Sequence, residues 1–109
     1  MRAYAVRHYR NANGTDVFGD WFDGLADGQA KARIATRIDR LQLGLFGDAK
    51  PLREGVWELR IDCGPGYRIY YAVAGRSVVM LLCGGHKSRQ RSDIARAIGY
   101  WQEWQGRKR

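Results

Sequence analysis

Ten residues near the end of the chain hold most of the groups able to do acid–base and phosphate chemistry: Gly84-Gly85-His86-Lys87-Ser88-Arg89-Gln90-Arg91-Ser92-Asp93. One imidazole and three cations fall within six residues, after an apolar run and at the mouth of an expected helix. Two glycines there let the backbone approach a ligand, and a helix N-terminus offers free N–H groups and a positive dipole end. The spacing is not that of a P-loop, because GxxxxGK[ST] is absent.

A second set lies upstream. A turn at Cys63-Gly-Pro-Gly66 makes Arg60 and Arg68 cross-strand neighbours on one face of a hairpin, with Glu58 and Tyr70 one step along. Opposed arginines repel, so the pairing suits a phosphate held between them or an ion-pair ladder in which Glu58 and Asp62 neutralise them. Metal-free RNA cleavage needs a base for the 2′-hydroxyl, cations for the charged transition state and an acid for the leaving oxygen. Histidine is the side chain that ordinarily titrates near neutrality, which points to His86. His8 reads as structural. Two histidines and scattered acids give no metal-ligand spacing, and no cofactor is expected.

The elements that must position these groups read as follows. Ala3 to Tyr9 is a first strand, Asn11 to Gly14 a turn, and Asp16 the N-cap of a short helix carrying Val17, Trp21 and Leu25. Ile34, Ile38, Leu41 and Leu45 form one stripe of a second helix, from about Ala30 to Leu43, with Gly44 as its C-terminal stop and Leu45 to Lys50 as a loop. Lys31, Arg33, Arg37 and Arg40 lie off that stripe, as a solvated face. Strands follow over Val56–Asp62, Tyr67–Val73 and Ser77–Cys83, the last apolar enough to be buried on both sides and ended by Gly84-Gly85. A final helix starts at Arg89 or Ser92 and runs towards Gln105, and Gly106–Arg109 reads as a frayed basic tail. The order is β-α-α-β-β-β-α in one α+β domain over residues 1–109.

Composition narrows the partners. A 45% hydrophobic content excludes a disordered chain. The net charge of +8 is uneven: residues 1–54 hold nine basic and seven acidic residues, and residues 55–109 hold ten and four. Fifteen of the 19 basic residues are arginine, whose planar fork matches phosphate oxygens. A polyanion partner is expected, and RNA best fits the residue types. No apolar run reaches the length of a signal peptide or a membrane span, and Cys63 and Cys83 have no metal spacing; a cytoplasmic protein with reduced thiols is expected.

Three blocks carry a family resemblance: Gly55-Val-Trp-Glu-Leu-Arg-Ile61, Gly64-Pro-Gly-Tyr-Arg-Ile-Tyr70, and Leu81-Leu-Cys-Gly-Gly-His-Lys-Ser88 with Gln90 and Asp93-Ile94. With Ala32-Arg-Ile34 through Lys50 they resemble the addiction-module killer proteins, a branch of the RelE/HigB-type toxins of type II toxin–antitoxin systems. The resemblance implies a microbial-RNase-like (RelE-like) fold with a small twisted antiparallel sheet packed against helices. It implies a ribosome-dependent mRNA endonuclease that arrests translation, and a cognate helix-turn-helix antitoxin with which the otherwise monomeric chain assembles. Arg68 inherits a substrate-phosphate role from the GYR motif, and Arg89 that of the basic residue after the last strand. The sequence departs from the family at Glu58, where better-known relatives carry lysine, at Ala95 in place of tyrosine, and at His86, where this branch often has aspartate. Glu58 and His86 are therefore the candidate bases, with Arg60, Arg68 and Arg89 on the phosphate and Lys87 and Arg91 on the flanking backbone. A ParE-like gyrase poison and a non-catalytic RNA-binding module are the alternative readings.

Overall fold

The computed structural model describes residues 3–107 of the chain. Its elements are β1 (Ala5–His8), α1 (Val17–Asp23), α2 (Gly28–Gln42), β2 (Ala49–Pro51), β3 (Val56–Ile61), β4 (Tyr67–Ala74), β5 (Val78–His86), a 3₁₀ turn (Lys87–Arg89) and α3 (Gln90–Arg107). The α+β class is as the sequence predicts.

Local signals explain the helices. Asp16 caps α1 by accepting from the Gly19 N–H, and Asp27 caps α2 by accepting from Gln29 and Ala30. At the end of α2, Gly44 has φ 76°, and the amides of Gly44 and Leu45 return to the carbonyls of Leu41 and Arg40. That is the left-handed stop expected of glycine at this place.

The five strands form one sheet in the order β1-β5-β4-β3-β2. Its middle is the expected meander, with Arg60 opposite Arg68, Glu58 opposite Tyr70 and Leu59 opposite Ile69. Helices α1 and α2 cover one face through Phe18, Ile34 and Leu41, packed on Leu59, Ile69, Tyr71 and Leu81. Helix α3 covers the other through Ala97, Ile98 and Trp101, packed on Val56, Tyr70, Ala72 and Leu82. Two apolar faces on one sheet explain why β5 has no polar alternation: each of its middle residues is needed in one core or the other.

The structure corrects the sequence reading in four places. The sheet is mixed, because β1 runs parallel to β5. Residues 49–51 add a short edge strand, β2, antiparallel to β3, where a loop was expected. Gly84 and Gly85 do not end β5 but continue it opposite Ile69 and Arg68. Residues 106 and 107 are not frayed: α3 runs through Arg107, whose guanidinium bonds Glu103 and donates to the Arg10 carbonyl at 2.8 Å. The last two residues of the expected tail lie outside the described residues.

Candidate functional site

The expected cross-strand register of Arg60 and Arg68 is present, yet each arginine is already balanced. Arg60 forks onto Asp48 at 3.0 and 3.2 Å, a carboxylate brought in by the approach to β2. Arg68 is 7% exposed, with Nε 4.0 Å from Glu58 and Nη1 3.9 Å from Asp62. Opposed arginines are thus tolerated because three acids flank them, Asp48 being the one the sequence reading missed. Arg68 also donates from Nη1 to its neighbour's carbonyl, Tyr67 O, at 3.0 Å.

Glu58 is fully buried. Gln90, the first residue of α3, donates to its Oε2 at 2.5 Å. Glu58 Oε1, Arg68 Nε, the Tyr70 hydroxyl and Asp93 Oδ2 are buried without a hydrogen-bond partner, two acceptors and two donors, with Arg68 Nε 4.0 Å from Glu58 Oε1. Burial, followed by the charges of Glu58 and Asp93, pushes the Tyr70 hydroxyl well above the usual phenol range. The Gln90–Glu58 hydrogen bond ties the start of α3 to the sheet. With no exposure, Glu58 offers no surface to a substrate proton.

His86 lies elsewhere. It pairs with Tyr67 across β4 and β5, and its exposed ring sits edge-on to Tyr67 at 5.3 Å. Tyr67 belongs to the core on the α1–α2 face, whereas Arg68, one residue later, points to the α3 face. Alternation along β4 therefore separates His86 from Arg68, and the two do not converge on one phosphate as the sequence reading expected.

His86 instead shares a cleft with Arg89 at the free edge of β5. Strand β1 covers β5 only from Val78 to Leu81, with one more bond from Tyr9 N to Leu81 O. Past that point a cleft of about 270 Å³ opens, lined by Trp21, Gly84, Gly85, His86, Arg89, Asp93 and Arg96. Trp21 and Arg96 were not singled out for this site, and Asp93 entered only as the last residue of the basic segment. The signal was present in part: Asp93 and Arg96 stand at i and i+3 and form an ion pair at 3.2 Å.

The glycines owe their place to these neighbours. A side chain on Gly84 would run into the Trp21 ring, and one on Gly85 into the Asp93 carboxylate. Their smallness lets α1 and α3 close on the two faces of the strand end, which the sequence reading had assigned to ligand approach.

Lys87 and Arg91 flank this cleft on separate surfaces. Lys87 packs over Gly66 and lines a cleft of about 380 Å³ with the hairpin turn, towards which the Arg68 tip reaches. Arg91 lines another of about 380 Å³ with Arg53 and Gln90. The sheet end that carries His86 is thus ringed by cations on exposed side chains. Among the described residues no group of three His, Cys, Asp or Glu side chains could hold a metal ion. His8, as expected, is structural: its Nδ1 lies 2.8 Å from the capping carboxylate of Asp16.

Residues 20–98, which include the hairpin, β5 and the first half of α3, match the phage-derived protein Gp49-like family (DUF891). The chain belongs to the Gp49-like family. This Gp49-like chain is also 49% identical over 83 residues to an uncharacterized protein of Haemophilus influenzae, covering 76% of the chain and 84% of the relative. The Gp49-like family is of toxin–antitoxin type, and toxins of that kind include RNases. The matched segment holds every residue that lines the β5-edge cleft.

Proposed function

We propose that the chain is the toxin of a type II toxin–antitoxin system and a metal-independent, ribosome-dependent mRNA endonuclease of the RelE/HigB kind. The observation that carries this reading is the open cleft in which His86 stands with Arg89 and Arg96 at the uncovered end of β5. A base beside two guanidinium groups suits in-line cleavage of an RNA phosphodiester. His86 takes the proton of the 2′-hydroxyl, the 2′-oxygen bonds to phosphorus, and the P–O5′ bond breaks. Solvent supplies a proton to the departing 5′-oxygen, leaving a 2′,3′-cyclic phosphate and a 5′-hydroxyl. Arg89 neutralises the charge that grows on the phosphoryl oxygens, and Arg96, held by Asp93 and the Tyr100 hydroxyl at 3.2 Å each, adds its charge to the cleft wall. Trp21 offers an aromatic surface for a flanking base.

In this reading Arg68 serves through its tip, with Lys87 at the hairpin turn, on a neighbouring phosphate, and Arg91 extends the same cationic rim. Arg60 is occupied by Asp48 and contributes little. Glu58 positions α3 and Arg68, and the base is His86.

Cell-free translation with primer-extension mapping of mRNA 5′ ends tests the proposal. Cuts that need ribosomes and disappear in His86→Ala and Arg89→Ala, while persisting in Arg60→Ala, support it. Intact mRNA with inhibited gyrase supercoiling would replace it with the ParE-like reading. RNA binding without cuts would leave a binding module.

A further inference from the structure

The corner between α2 and β2 carries a surface that the β5-edge cleft does not use. A pocket of about 260 Å³ opens there, walled by Tyr4, Phe46, Trp57 and Tyr71. Ring contacts fix those walls: Tyr4 meets Phe46 edge-on at 5.2 Å, and Phe46 and Trp57 stack on Tyr71 at 6.0 and 6.3 Å. Leu43 and Leu45, on the turn leading to Phe46, are 50% and 53% exposed. Exposed leucines beside an open aromatic pocket form an apolar anchor site.

A cationic groove adjoins it. Arg37 donates from Nη2 to the Phe46 carbonyl at 3.4 Å and packs beside Gly47, which lines the aromatic pocket. On its other side Arg37 joins Arg33 and Arg40 in a groove of about 370 Å³ that holds one carboxylate, Asp62. The three arginines stand at i, i+4 and i+7, one stripe along α2. Arg33 and Arg40 are exposed.

We infer that an acidic, amphipathic segment of a partner protein docks across this corner. It sets an apolar side chain into the Tyr4–Phe46–Trp57–Tyr71 pocket and lays carboxylates over Arg33, Arg37 and Arg40. Charge complementarity selects this occupant. A second copy of so basic a chain would oppose cation to cation, and a phosphate backbone gains nothing from Leu43 and Leu45. The partner's identity as the antitoxin rests on the toxin reading. The aromatic pocket lies at the Val73 end of β4, roughly 20 Å at about 3.3 Å per strand residue from Tyr67 and His86, while the arginine groove runs back along α2 to Ile61 and Asp62. The partner's apolar anchor therefore avoids the β5-edge cleft, while its acidic stretch reaches the hairpin turn, where Asp62 also lines the Lys87 cleft.

The test is co-expression with the protein encoded by the adjoining reading frame, with Kd from isothermal titration calorimetry. A Leu45→Glu/Arg40→Glu double variant changes exposed side chains alone, and its thermal melt checks the fold. Weakening of about 30-fold or more, with mRNA cleavage retained but no longer suppressed by the partner, supports the inference, and Leu45→Met, which keeps an apolar side chain, should bind as the wild type does. An unchanged Kd overturns it while the toxin reading stands. A complex that survives the double variant while affinity for polyuridylate RNA falls also overturns it, assigning the corner to RNA. Absence of any wild-type complex sinks the antitoxin assignment and this inference together.

Discussion

The Asp93 carboxylate fills the space that a side chain on Gly85 would need. Gly85 lies opposite Arg68 in the sheet, and Asp93 sits 2% exposed in the first turn of α3, so the glycine is what allows α3 to seat at that point. Gly85→Ala forces the carboxylate or the helix to move, and overpacking of this kind costs about 1–3 kcal/mol. Gly99, on the exposed side of α3 with open space around it, makes the contrast. Gly99→Ala raises stability by about 0.5–1 kcal/mol through helix propensity. Thermal unfolding followed by circular dichroism should move the two variants in opposite directions.

Asp16 links the start of α1 to His8. Burial alone would raise its carboxyl, but the Gly19 amide and His8 outweigh burial and hold it below the usual carboxylate range. A carboxyl whose folded value is depressed contributes stability that is fully present above its unfolded value, near pH 4, and lost as pH falls through the lower folded value. Asp16→Ala should cost about 1 kcal/mol at pH 7, and its deficit against wild type should shrink below about pH 4. Urea titrations at pH 7 and pH 3 check this; a deficit that grows on acidification contradicts the assignment.

His86→Ala should lower the rate of ribosome-dependent mRNA cleavage by about 100-fold or more, the scale of a lost general base. Arg89→Ala should cost about 100-fold through the transition state. Because both side chains are exposed, neither substitution should shift the thermal midpoint much. Arg60→Ala, which breaks a half-exposed pair with Asp48, should leave the rate within about threefold. A rate loss at Arg60 matching that at His86 would return the chemistry to the hairpin face.

The two thiols should differ. Burial pushes the Cys83 thiol up to about 12, which keeps it protonated and inert at pH 8. Cys63, on the hairpin turn, is half-buried. Titration of the native chain with a chromogenic disulfide reagent should modify Cys63 rapidly and Cys83 only on denaturation, as peptide mass mapping would show.

The sequence by itself determined whatever neighbours in the chain decide. Alternation around Cys63-Gly-Pro-Gly66 set the register that places Arg60 opposite Arg68. Asp16 and Gly44 marked a helix start and a helix stop, and the doubly apolar β5 required cover on both faces. Each depends on backbone preference or on side chains a few residues apart, so spacing alone reveals it. The partners of the arginines were another matter. Asp48 reaches Arg60 only because residues 49–51 pair with β3, and Glu58 is buried only because Gln90 and α3 close over it. The cleft is less local still. It exists because β1 joins β5 in parallel and stops at Leu81, while Trp21 and Asp93 arrive from helices far apart in sequence to grip the two glycines. The sequence supplied His86 and Arg89 as chemistry. Tertiary packing separated His86 from Arg68, since successive residues of a strand face opposite sides and each side had already been claimed by a different core.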